Sequence, residues 1–212
     1  MPSITRRPSG GADRRLPVEA RILATTQRLL AEGVTFTELG VQRIAREAEV
    51  ARSTFYTHFA DKTQLLMRLA ESMSKTSFDV TATWRPEPGA EALPSLTEIF
   101  RQVIGIYREH AAVLSAITEV SAYDPTVRQF WNGRLEQFVR NTERFIRVEQ
   151  ESDRAPRDLD PVQASRLIVI GGDRFLAQHI VTDDGSGDDA AARELAATWW
   201  YGIYRRPAEQ PG

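Results

Sequence analysis

ARSTFYTHFADK, residues 51–62, decides how this chain is read. Wound as a helix, it places Phe55 and Phe59 four residues apart, so they form one narrow apolar stripe. The rest of the surface is short or hydrogen-bonding: Arg52, Ser53, Thr54, Tyr56, Thr57 and His58. Such a face packs poorly and meets polar partners well. Just upstream, 41–48 reads as another short helix capped by Gly40, with Leu39 and Ile44 spaced as a hydrophobic staple. Only Glu49, Val50 and Ala51 lie between the two. Two short helices across a three-residue turn predict a helix-turn-helix, whose second helix enters the major groove of double-stranded DNA. The candidate DNA contacts are therefore Arg43 before the turn, the six polar residues of 52–58, and Lys62. The Lys62 ammonium and the helix N-terminus beside it can share a phosphate.

Working outward, helical periodicity dominates and strand alternation is scarce. A first helix is expected over 17–32, with Pro17 in its first turn, Ile22, Leu23, Leu29 and Leu30 inward, and Gly33 ending it. Asp61 and Gln64 have capping-box spacing at the start of a helix running to about residue 83. TWRPEPGAEALP, residues 83–94, is the clearest break. Helices follow over 95–109, 111–122, 125–151, 161–181 and 188–205, and no internal repeat is visible. The expected fold is all-α, about nine helices, with a flexible basic arm at 1–16, a DNA-binding domain at 17–66 and a larger helical domain at 67–212.

The 212 residues are 42% hydrophobic and 26% charged, an ordinary globular composition. No apolar run approaches the ~20 residues of a membrane span, and residues 1–16 lack the apolar core of a secretory signal. A cytoplasmic protein with no membrane partner is expected. Without cysteine there are no disulfides, thiolate sites or cysteine nucleophile. The net charge of −2 is uneven: residues 1–62 hold 10 Lys and Arg against 7 Asp and Glu, the remainder 17 against 22. A basic end on an acidic body fits a polyanion contact confined to that end. The acidic loop 182–189 has glycines where a calcium loop needs oxygen ligands, so a solvated turn is expected there. His58, His110 and His179 fall in separate helices. Neither a metal site, a cofactor nor a catalytic group is nominated.

IAREAEVARSTFYTHFADKTQLL, residues 44–66, closely resembles the N-terminal module of the TetR/AcrR transcriptional regulators, and ILATTQRLLAEG, residues 22–33, resembles their first helix. The likeness covers about 50 residues at matching helix spacing. It departs at Glu49, where the family has a turn glycine, at Ala51, where it has a capping serine, and at His58, where it has tyrosine. The resemblance implies a homodimer whose C-terminal domain encloses a small hydrophobic effector, and a ligand-responsive regulator, most simply a repressor released from a palindromic operator by that effector. SRLIVIGGDRFLAQHI (165–180) and ATWWYGIY (197–204) look most like the EthR branch of the family, with its aromatic-lined channel.

Candidate walls of such a pocket are Leu96, Phe100, Val103, Tyr107, Trp131, Phe138, Val169, Gly172 and Trp199; a large side chain among them, taken alone, reads more readily as core, and a pocket needs several to face one void. Gly171 and Gly172 either leave room for a ligand or allow close helix contact. The helix over 161–181 is apolar on more than one face, which nominates Phe175 and Ile180 for a dimer interface. The alternatives are an all-helical small-molecule-binding protein, or an enzyme using LIVIGGD as a strand and Gly-rich loop. The latter lacks both phosphate-loop spacings.

Overall fold

The computed structural model describes residues 17–86 and 91–205; the arm expected at 1–16 lies outside them. Every regular element among these residues is helical: α1 (Val18–Ala31), α2 (Val41–Glu47), α3 (Arg52–His58), α4 (Lys62–Thr83), α5 (Ala92–Glu109), α6 (Ala111–Ser121), α7 (Pro125–Glu151), α8 (Pro161–Thr182) and α9 (Asp188–Trp199), followed by one π-helical turn at Trp200–Tyr204. No helix is long and apolar enough to cross a membrane.

Local chemistry sets most of the boundaries. Asp124 and Asp160 each turn a carboxylate oxygen back onto two amides of the following turn, and proline occupies the first helical position in both α7 and α8. At α4, Asp61 accepts from the Gln64 amide at 2.8 Å, and the Gln64 side chain accepts from the Ala60 amide at 2.6 Å. Gly33, at φ 88°, closes α1 by directing its own amide to Leu30 and that of Val34 to Leu29.

Three expectations shift. Pro17 stands just before α1 in extended backbone, not inside the first turn. α5 starts three residues early at Ala92, which puts Pro94 where the missing amide has no helical acceptor to lose. The last helix does not stay α-helical to 205: the Arg205 amide reaches Trp200 O at 2.7 Å, and the widened turn keeps Trp200, Ile203 and Tyr204 all buried. Trp84 packs against both Trp200 and Tyr204.

Two apolar cores result. The first joins Ile22, Leu29, Leu39, Ile44, Phe55, Phe59 and Leu66 to Val113, Ile117 and Val120 of α6 and to Val127 of α7. The second gathers α5, α7, α8, α9 and the far half of α4 around Phe100, Val103, Ile104, Val169 and Leu176. α4 belongs to both, through Leu65, Leu66 and Leu69 at one end and Met73 further on. α4 is thus the rod connecting the small N-terminal unit to the large one.

Candidate functional site

The turn between α2 and α3 repeats the geometry at Gly33 without a glycine. Glu49 sits at φ 53°, in the left-handed region, its amide bonded to Arg46 O and that of Val50 to Ala45 O. The turn keeps its shape at a cost of about 1–2 kcal/mol for a residue with a Cβ. Ala51 has cap backbone angles (φ −69°, ψ 149°) and no side-chain cap bond. Phe55 and Phe59 are buried against each other with ring centroids 5.5 Å apart, and they anchor α3 to the first core.

Arg43, Arg52, Ser53, Tyr56, Thr57 and His58 are all exposed on or next to α3, and Thr54 is half-buried. They form one polar face. Arg52 lies over the Tyr56 ring at 5.6 Å, and Thr57 back-bonds to Ser53 O at 3.2 Å. Lys62 differs from expectation: it does not stand free for a phosphate. Its ammonium donates to Phe36 O at 3.0 Å and Thr37 O at 2.9 Å and lies over the Phe36 ring. Thr37 in turn bonds Glu119 and Tyr123 at the end of α6. A second strap runs from Glu19 of α1 through Arg68 and Glu71 of α4 to Arg134 of α7. The Arg68 and Arg134 guanidiniums hold the Glu71 carboxyl below its usual range, mainly through the Arg68 hydrogen bond. The polar face is thereby fixed to the larger unit at two places.

In the second core, Phe100, Val103, Tyr107, Phe138, Val169, Gly172 and Trp199 converge on one cavity of about 60 Å³. Leu96 lines a neighbouring cavity of about 40 Å³, and Phe100, Phe138, Trp199 and Thr81 border both. The T-shaped Phe100–Trp199 pair, centroids 5.1 Å apart, belongs to this partition. Trp131 lines neither cavity; it stands beside Asp173 instead. A Cβ on Gly172 would meet nothing within 4 Å, so this glycine faces open space and not a crowded helix contact. Sequence reasoning passed over Ser77, Thr81, Leu135, Asp173 and Leu176, which also line the first cavity. The signal for Asp173 was available: from Val169, positions 172, 173 and 176 share one helical face.

Ile180 also needs correction. It is 7% exposed and part of the second core, so it does not belong to an outer surface. The larger apolar residues that α8 does present outward are Val162 near its start and Leu167 (74% exposed), Ile170, Phe175 (43%) and Val181 (69%). The acidic loop is likewise less solvated than expected. Asp183 and Asp188 are part-buried, and Arg108 of α5 bonds Asp183 at 3.0 Å and Asp188 at 2.6 Å. His179 joins Asp188 at 2.9 Å, so one guanidinium already supplies the cation these carboxylates need. The Arg108 hydrogen bond, above all, holds Asp188 below the usual carboxylate range, with His179 adding to it.

Comparison with known proteins agrees with this geometry at both ends. Residues 22–69 match the family described as bacterial regulatory proteins, tetR family, and residues 96–205 match the C-terminal domain of transcriptional regulator EthR. The HTH-type transcriptional regulator EthR of Mycolicibacterium smegmatis is 30% identical over 202 residues, covering 93% of this chain and 89% of that protein. Among solved structures, FadR of Bacillus subtilis in complex with stearoyl-CoA superposes with a TM-score of 0.70 at 18% identity, covering 87% of this chain and 98% of that one. A transcriptional regulator of Saccharomonospora viridis in complex with choline gives 0.68 at 23%, covering 89% and 98%. These two likenesses carry the fold alone.

Proposed function

This chain belongs to the TetR family of bacterial regulatory proteins, with a C-terminal domain of the EthR type, and is a helix-turn-helix transcriptional regulator; from that premise we propose that it is a cytoplasmic homodimeric repressor, without enzymatic activity, that an effector bound in the α5/α7/α8/α9 cavity releases from a palindromic operator. Residues 17–66 are the DNA-reading unit, and Arg43, Arg52, Ser53, Thr54, Tyr56, Thr57 and His58 are its contacts. The observation that carries the reading is the course of α4. It leaves the end of the polar face at Lys62 and reaches the cavity wall at Ser77 and Thr81 without a break. Anything that spreads the cavity therefore acts on a rod whose other end holds α3.

The cavity is far below the several hundred Å³ of a drug-sized site. An effector must displace the Phe100, Phe138 and Trp199 rings and join the two cavities, which gives the liganded state a different shape. The S. viridis and B. subtilis neighbours, solved with choline and stearoyl-CoA, illustrate that such folds take small molecules. Two reading heads about 34–36 Å apart would meet successive major grooves.

Fluorescence anisotropy on duplexes from beside its own gene tests the proposal. Affinity should fall steeply with salt, with a slope near −0.9 per phosphate neutralised. Thr54→Ala and Tyr56→Phe should weaken binding to the operator more than to random duplex. Equal losses on both sequences would remove these residues from base reading.

A further inference from the structure

The cavity is mostly apolar and aromatic; the Thr81 hydroxyl on its wall is taken up by Ser77 O and Phe78 O, which leaves two polar points, on different helices. On α8, Asp173 is its only carboxylate, and no basic side chain lines either cavity. Its Oδ1 accepts from the Tyr107 hydroxyl at 3.0 Å, the neutral Trp131 indole lies nearby, and it makes no ion pair among the described residues. Its chain neighbour Arg174 points to solvent. On α4, Ser77 is 2% exposed and its hydroxyl has no hydrogen-bond partner. A buried hydroxyl left unpaired and a carboxylate served only by neutral donors are both costly arrangements. A bound molecule that satisfied both would recover that cost.

Building on the reading of this cavity as the effector site, we infer that the effector is a protonated amine on an apolar, ring-bearing body, its N–H groups donating to the Asp173 carboxylate and the Ser77 hydroxyl. The body lies against Phe100, Phe138 and Trp199, whose ring faces also favour a nearby cation. A neutral alcohol would leave the carboxylate without a counter-charge, and an anion would meet a like charge in a poorly solvated place. Burial pushes the Asp173 carboxyl above its ordinary range, as expected where no cation has yet arrived. The two anchors also belong to different helices. An ammonium between them ties α4 to α8, so the contacts that give affinity also move the rod that holds the reading head.

4-Phenylbutylamine, 4-phenylbutanol and 4-phenylbutyrate share one body and differ in headgroup, and calorimetric titration of the full-length protein ranks them. The amine should bind at least about tenfold more tightly than the alcohol, with the butyrate weakest, as a charge-assisted hydrogen bond requires. Asp173→Asn keeps an acceptor for Tyr107; it should bring amine and alcohol within about twofold of each other, mainly by weakening the amine, and Ser77→Ala should also weaken the amine. An alcohol that matches the amine on the native protein overturns the amine assignment and leaves the effector cavity standing. Preference for the amine surviving Asp173→Asn overturns it equally. If none of the three binds the native protein, the cavity reading falls and the inference with it. The native ranking needs no variant, so a poorly folding Asp173→Asn protein does not shield the inference.

Discussion

Glu49 shows how a single residue can strain a turn without redirecting it. Its φ of 53° is where a glycine costs nothing, and the two turn-closing bonds at Arg46 and Ala45 hold it there. Glu49→Gly should stabilise the protein by about 1 kcal/mol, raising the melting temperature by about 2–4 °C in a chain of this size. A lower melt would mean that interactions of the Glu49 side chain outweigh the strain. Two residues on, Ala51 already has the backbone of a cap and lacks only the oxygen, so Ala51→Ser should add about 1 kcal/mol. Lys62 makes the opposite point. Spacing placed it correctly beside the reading helix, but no pattern in the sequence reveals that two carbonyls of the 33–40 loop would claim its ammonium. Lys62→Ala should therefore lower the melting temperature as well as DNA affinity; a loss of affinity with an unchanged melt would return it to the role of a simple phosphate contact.

At the scale of elements, α1 to α4 were legible because several boundaries have a local cause: glycine at the end of α1, Leu39 and Ile44 buried in one core either side of Gly40, the Asp61–Gln64 cap. The cavity was legible only in part. Helical spacing brings Phe100, Val103 and Tyr107 together, but which face of α8 turns inward depends on how α7 and α9 pack, and that is not a local property. That is why Ile180 turns inward against expectation, whereas Asp173, on the same helical face as Val169 and Gly172, was within reach of spacing alone. α8 now separates cleanly into a buried row ending at Ile180 and an outward row of Leu167, Ile170, Phe175 and Val181. A row of exposed apolar residues along one helix is the surface a second copy would cover. Leu167→Asp combined with Val181→Asp should give a monomer in sedimentation velocity with a helical, cooperatively melting fold, whereas Ile180→Asp buries an unpaired charge and should unfold the domain. A double variant that sediments as native dimer would move the interface off α8.

For the whole molecule, the proposed release requires about 60 Å³ of space to act on DNA binding at the far end of α4. A ligand shifts an equilibrium only through its differential affinity for the two states, so tenfold release from the operator requires about 1.4 kcal/mol of preference for the spread cavity. A cavity already large enough for its ligand would supply none of that preference; one that must open supplies it through the work of displacing the rings. Gly172 allows this to be tested without any ligand. Gly172→Ala adds a Cβ to open space and should stabilise α8 by about 1 kcal/mol with little effect on the operator. Gly172→Trp places an indole in a space too small for it, forces apart the walls formed by α4, α5 and α9, and should weaken operator binding about tenfold while the protein stays helical and dimeric. On this proposal the straps from Lys62 through Thr37 to Glu119, and from Glu71 to Arg134, would carry the displacement to α3. If the tryptophan variant is folded and binds operator with native affinity, spreading the cavity does not move the reading head, and coupling through α4 is wrong even if a ligand binds there.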